Sequence, residues 1–271
     1  MSNTTIESKM HKTRDEIHRW GVRNRVTFDP TKEHVVVIHP LDGNGEVIKF
    51  LGTLIDPQLT MQFCIESILS KIKPKIKAAL RTRAFYDIAS MVGQFKIHIW
   101  SHIEFHYGAI LHAAPSSLSR IDDCQRSFVR ELNISAEIAY LEYNFPLPTL
   151  RRDIGLLGLL HKRVLGLAHP AFEKLFPYSP HPAVLGHNKQ LHDYHPECNY
   201  RRALLHRSIF GLVAVYNLLP QYIVDSETIS AFQTALTHIA KTRRSNQIAN
   251  LHLTFNAHYH SRNDIDVLQV S

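Results

Sequence analysis

The sequence predicts an α+β fold in which a small antiparallel β-meander or hairpin precedes a mostly α-helical body. Two observations carry this. The β-branched runs "RVTF" (25–28) and "HVVVIH" (34–39) lie beside Asp42-Gly43-Asn44-Gly45, which holds two of the strongest hairpin dipeptides. From Thr60 onward the apolar residues recur with helical spacing instead of alternating.

A polar helix comes first, because Thr4 and Glu7 have the spacing of a capping box and no strong breaker follows before about Trp20. Asp29-Pro30 marks a turn between the two β runs, and residues 34–39 are expected to pair antiparallel with 46–51. Ile65, Ile68, Leu69, Ile72 and Ile76 then fall at i, i+3, i+4, i+7 and i+11, one face of a helix, while Pro74 predicts a kink or a split in it. The longest amphipathic stretch is 86–111, with Ile88, Met91, Val92, Phe95, Ile99, Ile103, Tyr107 and Ile110 on one stripe. Further helices fit 117–132, 148–167, 203–217 and 226–241. Residues 169–200 hold five prolines and five histidines, the composition of a long, loosely ordered connection. The tail after 245 has little periodicity, and no fixed-period repeat runs through the chain.

A chain of 271 residues, 44% hydrophobic, has the material for a substantial core, and 20% charged residues argue against wholesale disorder. Cys64, Cys124 and Cys198 are odd in number and widely spaced, which argues against a disulfide framework and for a reducing compartment. No apolar run approaches the roughly 18 residues needed to span a bilayer, and the first residues lack a signal-peptide core. The expectation is an intracellular protein of nucleus or cytoplasm, without a membrane partner.

The net charge of +7, with 19 histidines counted as neutral, favours polyanionic partners, because Lys and Arg release condensed counterions on meeting phosphates. The charge is concentrated in "KIKPKIKAALRTR" (71–83), where Lys71, Lys73, Lys75, Lys77, Arg81 and Arg83 meet no acidic residue. Other constellations are weaker. His98, His102 and His106 repeat at i, i+4 and i+8, but no third ligand type completes a metal set, and their place beside an apolar stripe favours half-buried side chains. His187, His192, His195 and Cys198 match no zinc module, so no metal site is expected. Cys64 and Cys124 read as core fillers, and Asp122-Asp123 as a solvated helix face.

Five segments in order, "HRWGVRNRVTFDPTKE" (18–33), "IKFLGTLIDPQLTM" (48–61), "FKIHIWSHIEFHYGAILHA" (95–113), "LRRDIGLLGLLHK" (150–162) and "VYNLLPQYIVDSETISAFQTAL" (215–236), carry a family likeness. Together they resemble the C-terminal part of a non-LTR (LINE-type, jockey-like) retrotransposon reverse transcriptase, over most of residues 15–240. The resemblance implies a palm remnant with its primer-grip hairpin at 1–58 and a helical thumb-like domain at 59–168. It further implies the Pro/His-rich connection at 169–200, a C-terminal helical region at 201–242 and an irregular tail at 243–271. Lys32 would stand at the place of a lysine that assists nucleotide incorporation, although Asp29 replaces the asparagine usual there. Lys49, Phe50, Leu51 and Gly52 would be the primer grip, and the six cations of 71–83 would follow the duplex backbone.

The family's polymerases hold two Mg²⁺ ions on palm aspartates that include an F/Y-x-D-D hairpin, and no such motif occurs in these 271 residues. The expectation is therefore a truncated RNA-directed DNA polymerase fragment, with no cofactor of its own and no polymerase activity alone. It would bind RNA–DNA or DNA primer–template, with a separate catalytic palm segment as a further partner. The alternatives are a helical interaction or scaffold protein and a decaying retroelement remnant without selected function.

Overall fold

The computed structural model of the chain describes residues 3–39, 41, 43–182, 187–194, 205–242 and 254–255. Asp42, His195, Cys198, the start of the expected helix at 203 and nearly all of the tail lie outside them. The α+β expectation holds: one two-stranded antiparallel sheet accompanies a largely helical chain.

Helix α1 (Asn3–Arg23) runs three residues beyond the expected end at Trp20. It is met by residues 26–35, where the Phe28 ring stands edge-on to His18 at 5.4 Å and Glu33 pairs with His18 at 2.7 Å. The β-branched runs are not strands. Residues 30–32 form a short 3-10 turn (Pro30–Lys32), and within 34–39 only Val37 makes a β-bridge, to Asn44. Strand propensity expresses itself through packing against neighbours, and here Val35 and Ile38 are exposed with no sheet to join.

The hairpin instead joins β1 (Ile48–Phe50) to β2 (Thr53–Ile55), so the expected pairing of 34–39 with 46–51 is replaced. Phe50 lies opposite Thr53, which makes Leu51-Gly52 the two-residue turn. This register wins because Leu54 and Ile55 pack onto the first apolar core while β1 stays at the edge. The Asp56 carboxylate, buried, then accepts the N–H groups of Thr60 (2.8 Å) and Met61 (2.7 Å), fixing the entry to α2 (Gln62–Arg81). Asp56 thus does the work of a helix cap from outside the helix. Helix α2 is continuous through Pro74 and buries the expected stripe of Ile65, Ile68, Leu69, Ile72 and Ile76.

The expected 86–111 helix is broken. Helix α3 (Ile88–Phe95), capped by Asp87, passes into a π-turn (Lys96–Trp100), then α4 (Ser101–Glu104), and restarts as α5 (Tyr107–Ile110). The apolar stripe survives the break, since Met91, Val92, Phe95, Ile99, Ile103 and Ile110 are all buried. These helices, α6 (Pro115–Glu131) and α7 (Ala136–Leu141) surround the first core, centred on Phe95, Phe128 and Phe145.

A second core is built on α8 (Pro148–Val164), which packs against α10 (Gly211–Asn217) and α12 (Ile229–Thr242), with α9 (Ala171–Leu175) and α11 (Gln221–Val224) at its edge. Its centre is polar. His161 accepts from the Tyr216 hydroxyl at Nδ1 (3.1 Å), donates from Nε2 to the Ser226 carbonyl (2.9 Å), and stacks on Phe232 at 4.1 Å. Gly158 lets α12 come close, for a Cβ there would fall 2.4 Å from the Gln233 amide nitrogen. No helix among the described residues is long and apolar enough to cross a membrane.

Candidate nucleic-acid interface

The tip of the hairpin is unusual in chemistry and in backbone. Leu51 (φ 46°) and Gly52 (φ 86°) both have positive φ, as a two-residue primed turn demands. Glycine meets that demand freely, whereas leucine does so at a steric cost of about 1–2 kcal/mol. Lys49 is exposed on β1, and Phe50 and Leu51 are 60% and 77% exposed, so the expected grip residues form an apolar, uncovered point.

Behind that point stands the broken helix. A Cβ on Gly52 would lie 3.3 Å from the edge of Phe105, itself 66% exposed, and the next residue, His106, turns inward. The His106 ring is buried, with Nδ1 2.9 Å from the Thr53 hydroxyl. Burial pushes His106 below its ordinary value, with Lys71 and His102 adding to the effect. One turn earlier, Lys75 donates to His102 Nε2 at 2.7 Å, and burial, Lys75 and Lys71 hold that imidazole down as well. Both rings are therefore neutral near pH 7.

The six cations of 71–83 do not share one face. At about 100° per residue, Lys71 and Lys75 fall on the flank of α2 that meets His102 and the hairpin. Lys73 lies on the opposite flank, beside Glu66 and Cys124, where Glu66 is already bonded to Arg120. Lys77 and Arg81 follow on that side, exposed to solvent. Arg83, beyond the helix end, reaches Glu131 at 3.7 Å. Lys71, Lys75, Gly52 and Phe105 thus make one patch, and the other four cations lie outside it.

Lys32 sits in the 3-10 turn, exposed, 3.3 Å from the Asp29 carboxylate that also accepts from Thr31. Asp29 is held below the usual carboxylate range by the Thr31 and Lys32 hydrogen bonds. Among the described residues no group of three or more His, Cys, Asp or Glu side chains could hold a metal ion. His98 is exposed, and His187 is buried against the Tyr216 carbonyl at 3.0 Å.

Asp122 overturns its expectation. It is not solvated but buried, and its two oxygens accept the backbone N–H (3.0 Å) and hydroxyl (2.7 Å) of Thr149 at the start of α8. Only Asp123 is on the surface, paired with Arg126. Cys64 is buried in the first core and Cys124 packs against it. Sequence reasoning missed Thr53 and Phe105. The signal was present: Phe105 is a large aromatic standing off the Ile99, Ile103, Tyr107 stripe.

The chain matches no protein-family model, no curated protein and no solved structure.

Proposed function

We propose that the chain binds primer–template nucleic acid through the sugar-phosphate backbone, as a reverse-transcriptase-like grip and thumb without polymerase chemistry of its own. The observation that carries the reading is the joining of the hairpin tip to the Lys71 and Lys75 flank of α2 through Phe105, His106 and His102. Exposed aromatic side chains beside exposed ammonium groups suit a strand bound by stacking and phosphate contact, without base reading. The five in-order motifs support the same reading from the sequence side. Filter binding of an RNA–DNA hybrid at two salt concentrations tests it. With two or three phosphates neutralised, log K should fall with log salt at a slope of about −2 to −3. Salt-independent or undetectable binding sinks the proposal.

A second reading, a helical interaction protein, is favoured by one observation. Ile17, Trp20, Val22, Val35, Ile38 and Leu41 are exposed along the first 41 residues, a surface suited to a protein partner. Within the first reading that surface is where a separate catalytic palm segment would dock. Retention of the full chain on such a segment, with no affinity for the hybrid, selects the second reading.

A further inference from the structure

Helix α2 carries a second charged face, turned away from the hairpin. Lys73, Lys77 and Arg81 stand at i, i+4 and i+8, about 6 Å apart along the axis, and all three are exposed. Like charges at this spacing repel along a helix. Among the described residues no carboxylate is bonded to any of them: Glu66 beside Lys73 is bonded to Arg120, and Glu131 pairs with Arg83. The dipole of α2 favours a cation in its last turn, which accounts for Arg81 but not for Lys73 and Lys77.

The stripe runs into two exposed aromatic side chains. Phe85, 84% exposed, is the most exposed large hydrophobic residue among those described, and its neighbour Tyr86 is 51% exposed. The segment that carries them is hydrogen-bonded at both ends. The Thr82 hydroxyl donates to the Ala79 carbonyl (2.7 Å), and the Phe85 N–H donates to the Thr82 carbonyl (2.9 Å). Asp87 accepts from the Ser90 N–H (2.8 Å) at the start of α3. Two adjacent rings held in water by a bonded loop mark a contact surface, and the cations behind them set its chemistry. An apolar protein surface would cover the rings and leave three charges unanswered. A nucleic-acid strand answers both, with phosphates for the cations and base faces for the rings.

We propose that this face of α2 and the loop after it bind an unpaired nucleic-acid strand. Lys73, Lys77 and Arg81 hold its phosphates, and Phe85 and Tyr86 stack on its bases. Stacking needs free base faces, so a fully paired duplex does not satisfy the site. Lys71 and Lys75 lie on the other flank of the helix, and the inference does not rest on the function proposed above.

The test is fluorescence anisotropy of the full chain with a labelled oligothymidylate of about 15 nucleotides. A blunt RNA–DNA hybrid and inorganic polyphosphate are measured beside it. Phe85→Ala/Tyr86→Ala, with an unchanged melting temperature, should weaken the oligothymidylate about tenfold or more. The same variant should bind the blunt hybrid and the polyphosphate as the parent does. Lys77→Gln/Arg81→Gln should reduce the magnitude of the log K against log salt slope for the oligothymidylate by about 1.4. Lys71→Gln/Lys75→Gln should leave its affinity unchanged. Undetectable binding of the oligothymidylate, or an aromatic variant that binds it like the parent, overturns the proposal and returns the two rings to a protein partner. Equal weakening of oligothymidylate and polyphosphate by the aromatic variant also overturns it, since lost stacking cannot act on a ligand without bases.

Discussion

Thr53 and His106 meet in a buried contact, hydroxyl to Nδ1 at 2.9 Å, that ties the strand leaving the hairpin turn to the break between α4 and α5. Removing the hydroxyl strands a buried imidazole nitrogen, so Thr53→Val should destabilise the chain by about 1–3 kcal/mol. A melting temperature within a degree or so of the parent would show the contact to be dispensable.

The same contact gives a pH dependence. His106 has a folded pKa below its ordinary 6.5, so the folded state prefers the neutral ring. Its stabilising contribution is full above about pH 6.5 and is lost as pH falls from there through the folded pKa, because the unfolded chain takes the proton first. His102, His112, His161 and His187 are shifted the same way, while buried Asp153, pushed up to about 6, acts in the opposite sense. The measurement is therefore a difference: urea stability of the parent minus that of His106→Asn, at about pH 7.5 and about pH 5.5. The parent should lose more on acidification; an equal loss removes His106 from the account.

The turn makes a prediction of opposite signs at adjacent positions. Leu51 has φ 46° and is exposed, so Leu51→Asn relieves strain without removing buried contacts and should stabilise by about 1 kcal/mol. Gly52 has φ 86° and only 3.3 Å to spare at Phe105, so Gly52→Ala should destabilise by about 1 kcal/mol or more. Thermal melts of the two variants moving in the same direction would contradict the turn assignment.

The helical stripes were legible in the sequence because one-sided burial imposes a 3.6-residue period, and Ile65 to Ile76 and Met91 to Ile110 are buried as that period requires. The hairpin was not. Asn44-Gly45 is a strong local signal, but the register is decided by which strand packs on α2, a long-range fact that places the turn at Leu51-Gly52. The break at 96–106 was hidden for the same reason, since a π-turn shifts the face of a helix without interrupting its apolar composition. The cations at 71–83 were legible as a charge run, but the run alone could not show that Glu66 and Glu131 lie beside Lys73 and Arg83.

That division of cations can be read in binding. Lys71→Gln/Lys75→Gln should weaken an RNA–DNA hybrid and reduce the magnitude of its log K against log salt slope by about 2. Lys73→Gln/Lys77→Gln, on the far flank, should change the slope by less than about 0.5. Equal losses from the two pairs would mean that the strand does not select the hairpin side of α2.

Asp122 and Asp123, adjacent in sequence, should differ sharply. Asp123 is exposed and its ion pair with Arg126 is a surface pair, so Asp123→Ala should change stability by no more than about 0.5 kcal/mol. Asp122 accepts two hydrogen bonds from Thr149 in a buried site, and its removal leaves a backbone donor at the start of α8 unanswered. Burial raises the Asp122 pKa against the pull of those bonds, so loss of a costly buried carboxylate offsets part of the damage. The net cost of Asp122→Ala should be about 2 kcal/mol, shared with Thr149→Val because the hydroxyl contributes one of the two bonds. A double-mutant cycle decides it. Coupling of about 1 kcal/mol between the two positions ties α6 to the cap of α8, whereas additive losses would mean that Asp122 acts through its volume and not through Thr149.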